Sequence, residues 1–274
     1  VRPIDPSAPS APSVSDAIAR RTDEIAAALG RLGESELHED SELPGWSRLT
    51  IACHLRYGAE AVTRMTTEAL VGRPTSYYPG GREAQRAATL APGAGESGRD
   101  VVDDLGRRGR ALHSLWSSLS SAEWATEVIE PAGALDLGPV TLTRLALLRL
   151  SEVEVHGSDL VLGLGEWSDL FVSQALRFRL DWLNQRRANH RTVDGTLQGS
   201  WLLVATDGPV YRVSVAGTKV TSLPADPDAP ATAVMAGSSR DLLALLLGRP
   251  TVRPLVVMGD ESFGHGFGRA FPGP

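Results

Sequence analysis

The chain has 274 residues, 42% of them hydrophobic, and a formal net charge of −6 at pH 7. That length holds one large domain or two ordinary ones with a real core, and the negative balance argues against nucleic acid as a partner. The single cysteine, Cys53, excludes an internal disulfide framework and suits a reducing cytoplasmic setting; no apolar run marks a membrane span, and no basic segment with an apolar follower marks a signal peptide.

In the opening VRPIDPSAPSAP, Pro3, Pro6, Pro9 and Pro12 recur at every third position, so residues 1–13 read as an extended or disordered arm. Helical spacing begins near Ser15 and runs to Leu32, with Ile18, Ile25, Leu29 and Leu32 as the buried stripe. A polar link over Gly33–Glu42 leads to LPGWSRLTIACHLRYGAEAVTRM, where Pro44-Gly45 signals a turn and Ser47 is a plausible N-cap. Trp46 before it is placed to staple onto Ile51. Ile51, Leu55, Val62 and Met65 form the buried face of this second helix, Gly58 permits close helix approach, and His54 borders the face beside Leu55. Cys53 is rotated by about 100° from His54 and reads as a packed thiol.

The segment from Thr75 to Gly98 is rich in Gly, Pro and Ala, with a short helical piece over Arg82–Leu90. A loop of this length in a compact domain is a lid or a binding segment; Tyr77, Tyr78 and Arg82 either face a ligand or cover the helices. A third long helix is expected over Arg99–Leu119. A fourth covers Thr141–Leu160 and a fifth Ser168–Gln185, with irregular chain or a short hairpin over Ala125–Pro139. Successive amphipathic helices argue an up-down bundle over residues 14–191 with sites built from facing helices.

The stretch TLTRLALLRLSEVEVHGSDL carries the chemistry. Glu152 and His156 fall roughly 40° apart on one side of its helix, an i,i+4 pair that converges on one point. Arg149 and Asp159 lie near the same stripe, with Leu142 and Leu145. Either the face is a solvated stripe with i,i+4 support or it is the wall of a site, and the leucines favour the wall. Glu-x-x-x-His gives two ligands of a divalent metal, as His-x-x-x-His does. His54, which alone reads as a core histidine with a backbone partner, is a candidate third from another helix once paired with these two. Three ligands leave a position open for water or substrate, as in a catalytic zinc site.

Past Arg191 the period changes. GSWLLVATDGPVYRVSVAG reads as two strands around an Asp207-Gly208 turn. Ala231–Met235 is a third strand, Ser238 caps a helix stopped by Gly248, Arg253–Met258 is a fourth strand, and a Gly-rich tail containing His265 follows. Residues 195–274 are thus expected to form a small α+β domain.

PGWSRLTIACHL, then RLSEVEVHGSDL at this distance, resembles the mycothiol-dependent maleylpyruvate isomerase family within the DinB-like bundle superfamily. VMAGSSRDLLALLLGRP is similar to that family's smaller, sterol-carrier-like α/β domain. The resemblance implies an N-terminal DinB-like four-helix bundle followed by a small C-terminal α+β domain. It implies a divalent ion, zinc foremost, held by His54, Glu152 and His156. It also implies a catalytic arginine in the small domain, best matched by Arg249, then Arg240. YYPGGREAQRA is only loosely similar to the isomerases' counterpart; Arg82 there and Arg249 are candidate thiol-binding residues, and Arg149 and Arg249 are candidate catalytic cations.

The implied chemistry uses mycothiol as thiolate, whose attack on an electrophilic carbon leads to S-transfer or to cis–trans isomerisation. The partial match in the loop favours S-transfer as the expectation, with isomerisation of the maleylpyruvate type as the alternative. A non-catalytic small-ligand binding module is a further alternative, and the residue pattern by itself also allows metal-assisted hydrolysis. The expected partners are a small-molecule thiol and an electrophile, with the protein a monomer or homodimer.

Overall fold

Apolar residues at helical spacing, closed by side-chain caps, build the first half of the chain. In the computed structural model α1 spans Ala11–Leu29, α2 Glu34–Leu37, α3 Arg48–Leu70, α4 Arg82–Thr89, α5 Gly98–Ser117, α6 Ser121–Trp124, α7 Leu142–Asp159 and α8 Asp169–Leu183. The structure describes residues 11–129, 139–183, 197–217, 219–271 and 273. Most of the proline-spaced arm and the change of period expected at 191–195 lie outside them. Residues to Phe171 form one compact unit and those from Val172 another.

In the first unit the long helices pack in a cycle: α1 on α5, α5 on α3, α3 on α7, α7 on α1. Ile18, Ile25 and Leu29 of α1, Ile51, Leu55, Val62 and Met65 of α3, Val101, Leu105, Leu112 and Trp116 of α5, and Leu142, Leu145 and Val153 of α7 are all buried, as their spacing predicts. Ser47 Oγ accepts from the Thr50 N–H at 3.1 Å. Ser97 and Asp100 exchange bonds at the start of α5, and Thr141 Oγ1 accepts from the Arg144 N–H. Each such cap contributes about 1 kcal/mol. Helix α1 begins at Ala11, four residues before Ser15. Pro12 is tolerated in the first turn because its missing N–H would find no intrahelical partner there. Of the two readings before α7, irregular chain or a short hairpin, the described residues carry two short antiparallel strands, β1 Glu127–Ile129 and β2 Pro139–Thr141.

The second unit carries a sheet of β3 Gly199–Ala205, β4 Val210–Ala216, β5 Lys219–Pro224, β6 Ala233–Gly237 and β7 Val256–Gly259. Its order is β5-β4-β3-β6-β7, with β3 parallel to β6 and the other neighbours antiparallel. The turn between β3 and β4 falls at Asp207-Gly208, as expected. Helix α9, Ser239–Leu247, is capped by Ser238 and ended by Gly248 at φ 64°, the left-handed conformation that glycine adopts freely. Two features differ from the sequence expectation. Strand β5 was not anticipated, because one of its inward positions is the buried serine Ser222, which hides the apolar alternation. The Gly-rich tail folds into α10, Glu261–His265, and α11, Phe267–Ala270. It does so because Phe263, Phe267 and Phe271 surround Trp201 with ring centroids at 4.0, 5.5 and 5.8 Å.

The architecture is therefore mixed helix and sheet, with the helical part N-terminal.

Candidate functional site

Helices α3 and α7 pack together, and their facing residues bring the expected groups into contact. His54 Nε2 stands 3.0 Å from Glu152 Oε1. The His54 and His156 rings meet edge to face, centroids 4.9 Å apart. Arg149, one turn before Glu152, donates from Nη1 to Glu152 Oε2 at 2.5 Å and from Nη2 to the Leu55 carbonyl of α3 at 2.8 Å. His156 Nδ1 is 3.1 Å from the buried carboxylate of Asp159, which fixes the ring and leaves Nε2 outward.

Gly58 leaves room for this ion pair. A Cβ there would collide with Arg149 Nη1 and come within 2.7 Å of Glu152 Oε2 and 3.0 Å of the Tyr77 hydroxyl. The sequence assigned Gly58 to close helix approach; what approaches is the ion pair.

Exposure separates the roles. The His54 and Glu152 side chains keep 12% and 18% of their surface open, enough for a ligand to reach them. The Arg149 side chain keeps 0%, so it acts on Glu152 rather than on a ligand. Burial works against the ionised Glu152 carboxylate, but the Arg149 charge, followed by His54, outweighs it and holds the carboxyl far below the usual range. Burial also lowers the His54 pKa, and Glu152 offsets this only in part, so the imidazole is neutral at neutral pH. Tyr77 donates to Glu152 Oε1 at 3.3 Å. Its phenol is pushed well up, by burial first and then by the Glu152 charge.

Sequence reasoning missed the place of one residue in this site and left that of a second open. Trp46, read as a staple, stands edge-on to His54 at 5.3 Å and stacks on His156 at 5.9 Å. Its position immediately before the Ser47 cap puts it over the first turns of α3, where His54 lies. Tyr77 is the second. Its carbonyl accepts from Tyr57 and Arg64, which turns its hydroxyl toward Glu152. Of the even alternatives for the loop aromatics, Tyr77 reaches the site, whereas Tyr78 is buried against Tyr57 and Tyr77.

The remaining candidates stand on other elements. Arg82 holds its guanidinium 5.9 Å from the Tyr78 ring centroid. Arg249 and Arg240 belong to the second unit, where Arg249 Nη1 donates to the Leu247 carbonyl at 3.3 Å. Cys53 is buried, its thiol pushed up to about 11 chiefly by burial. His265 is exposed in α10. A cleft of about 610 Å³ opens between α3, α4 and α5, lined in part by Arg56, Tyr57, Glu96, Asp104 and Arg108. Its charges are paired with one another, Arg56 with Glu96 at 2.5 Å and Arg108 with Asp104 at 2.7 Å.

Among the described residues, no set of three His, Cys, Asp or Glu groups is arranged to hold a cation as it stands. Glu152 is instead shared among Arg149, His54 and Tyr77. The donor chemistry nevertheless fits a divalent ion: a neutral imidazole, an ionised carboxylate, and a second imidazole backed by a carboxylate. His54 Nδ1 is also buried without a hydrogen-bond partner. Ligand atoms of a tetrahedral zinc lie about 3.3 Å apart, close to the His54–Glu152 separation.

No helix among the described residues is long and apolar enough to cross a membrane. No curated protein matches the sequence. A solved structure of "the mycothiol-dependent maleylpyruvate isomerase" superposes with a TM-score of 0.68 at 20% identity, covering 91% of this chain and 93% of that one. A mutant of the enzyme of that name matches at 0.68 and 19%, with the same coverage. At such identity these likenesses establish a shared fold. The family model of the mycothiol maleylpyruvate isomerase N-terminal domain matches residues 18–161, more than half of the chain and the span that holds His54, Glu152 and His156, and the chain belongs to that family.

Proposed function

We propose that the protein is a mycothiol-dependent, divalent-metal-dependent cis–trans isomerase of the maleylpyruvate type. The observation that carries the reading is the meeting of His54, Glu152 and His156 on α3 and α7 inside the family-matched span. The lean toward S-transfer drawn from the sequence gives way, because both the family and the structural likenesses bear the isomerase's name. The reading takes the helical unit as a DinB-like four-helix bundle and the sheet unit as a sterol-carrier-like α+β domain.

His54, Glu152 and His156 are the residues that would hold the ion. When bound, the ion supplies Lewis acidity that lowers the pKa of a thiol at its open position and keeps the thiolate in place. The chain's own groups do the rest. Arg149 occupies Oε2 of Glu152, and Oε1 faces His54 and Tyr77. Asp159 orients the His156 ring through Nδ1. Tyr77, protonated across the working pH range, holds its O–H on Glu152. Trp46 walls the two imidazoles and excludes water from one side.

The thiolate adds to one carbon of a conjugated cis double bond, and the electron pair moves to the conjugated carbonyl as an enolate. Rotation about the resulting single bond follows. The enolate pair then returns, the C–S bond breaks, and thiolate is released with the trans product. The arginine role that the family resemblance implies for Arg249 belongs to the same proposal and is tested by Arg249→Ala.

The test is turnover of maleylpyruvate by metal-replete protein with and without mycothiol, following product geometry and free thiol together. Trans product with thiol concentration unchanged supports isomerisation. Stoichiometric loss of thiol into a heavier product replaces it with S-transfer. Product formed equally in thiol-free buffer, with solvent oxygen incorporated, overturns thiol chemistry altogether.

A further inference from the structure

Helix α4 buries none of its residues, yet it contributes one side chain to the wall of the site. The Arg86 guanidinium lies 5.7 Å from the centroid of the Trp46 ring. That ring in turn stacks on His156 and meets His54 edge-on. An arginine on an aromatic face spends its own planar face on the contact and keeps its N–H edge free. Among the described residues Arg86 makes no ion pair, and its side chain makes no hydrogen bond, although it is half-buried. By contrast Arg56, Arg64, Arg108 and Arg149 of the same unit are each paired with a carboxylate. Arg82, the other arginine of α4, stands over Tyr78, within the aromatic cluster of Tyr57 and Tyr77 rather than on the ring beside the histidines.

We infer that Arg86 is a substrate-recognition residue, a free cationic fork on Trp46 that binds a carboxylate of the substrate while the reacting carbon faces the His54–His156 side. The fork matches a carboxylate bidentately. Its partly desolvated seat on the indole strengthens the pairing relative to water. In a chain of net charge −6, such a cation offers an anionic substrate a group of opposite charge. The inference rests on the proposed function only in taking the His54–His156 pair as the reacting end.

The test is binding without turnover. Succinate, with succinamide as its neutral counterpart, is titrated calorimetrically into wild type, Arg86→Gln and Arg86→Lys, with helicity by circular dichroism and metal content matched among the three. Because α4 buries nothing, the variants are expected to fold as wild type. Arg86→Gln should weaken succinate binding about tenfold, Arg86→Lys should restore part of it, and the weaker succinamide signal should not change. In turnover assays the same loss should appear in KM for carboxylated substrates, with kcat nearly unchanged. Succinate binding that is absent in wild type, or that survives Arg86→Gln intact, overturns the assignment. Loss on Arg86→Gln in a protein that isomerises nothing would retain the carboxylate site and refute the isomerase reading.

Discussion

The Arg149 guanidinium bridges two helices, bonding the Glu152 carboxylate on its own helix at 2.5 Å and the Leu55 carbonyl of α3 at 2.8 Å. A buried arginine with no exposed surface is costly unless both its charge and its donors are met. Glu152 meets the charge, and Leu55 fixes where the pair sits. Arg149→Met should leave Glu152 unpaired in a half-buried site and destabilise the fold by about 3 kcal/mol. The double variant Arg149→Met/Glu152→Gln should recover a large part of that loss. Urea denaturation of the cycle measures the coupling, and additive effects would show that the pair does not act as a unit.

Gly58→Ala sets two effects against each other. Alanine favours a helix interior over glycine by up to about 1 kcal/mol, so a neutral site would gain stability. Here the new methyl would strike Arg149 and crowd Glu152 and Tyr77, and overpacking costs about 1–3 kcal/mol. A net loss in denaturation midpoint is expected. A gain would mean that the ion pair relaxes away freely.

Asp159→Asn keeps shape and removes the carboxylate behind His156. On the proposed metal role, affinity for zinc should fall about 10- to 100-fold, as for other partners of ligating histidines. Chelator competition on the purified protein measures it. Unchanged affinity would exclude His156 as a ligand held through Nδ1.

Cys53 is expected to behave as packing. Its thiol, raised to about 11 in the fold, stays protonated at pH 8, so iodoacetamide should leave native protein unmodified and label the unfolded chain. The unfolded thiol ionises near 9.0. Between there and about 11 the unfolded state sheds its proton first, so stability contributed by the neutral thiol is complete below that window and declines as pH rises through it. Cys53→Ala should flatten the stability profile over that range; an unchanged slope would assign the alkaline loss to other groups.

The helices were readable because their signals are local: a periodic apolar stripe, a serine or threonine cap, a glycine stop. The partners of the site were readable in kind, since Glu152 and His156 share a face and His54 edges another. What the sequence withheld were contacts between positions far apart in the chain. Nothing local to Arg149 says that its second bond goes to Leu55, or that Tyr77 reaches Glu152. Trp46 looked like a staple because hydrophobic residues before a cap commonly pack that way. Strand β5 and the tail helices were hidden for the opposite reason: a buried serine broke one pattern, and glycines between the phenylalanines masked another.

Helix α4 donates Arg86 and Arg82 to aromatic faces while burying nothing of its own. Substitutions along it therefore draw on almost none of the molecule's stability, whereas those on α3 and α7 disturb a core and an ion pair at once. On the proposed function, the two halves of the site answer to different constraints: the half assigned to the nucleophile is tied to folding, and the half assigned to substrate choice is free to vary. A library of α4 variants should yield changed substrate preference with little loss of soluble protein, and the same mutational load on α7 should not.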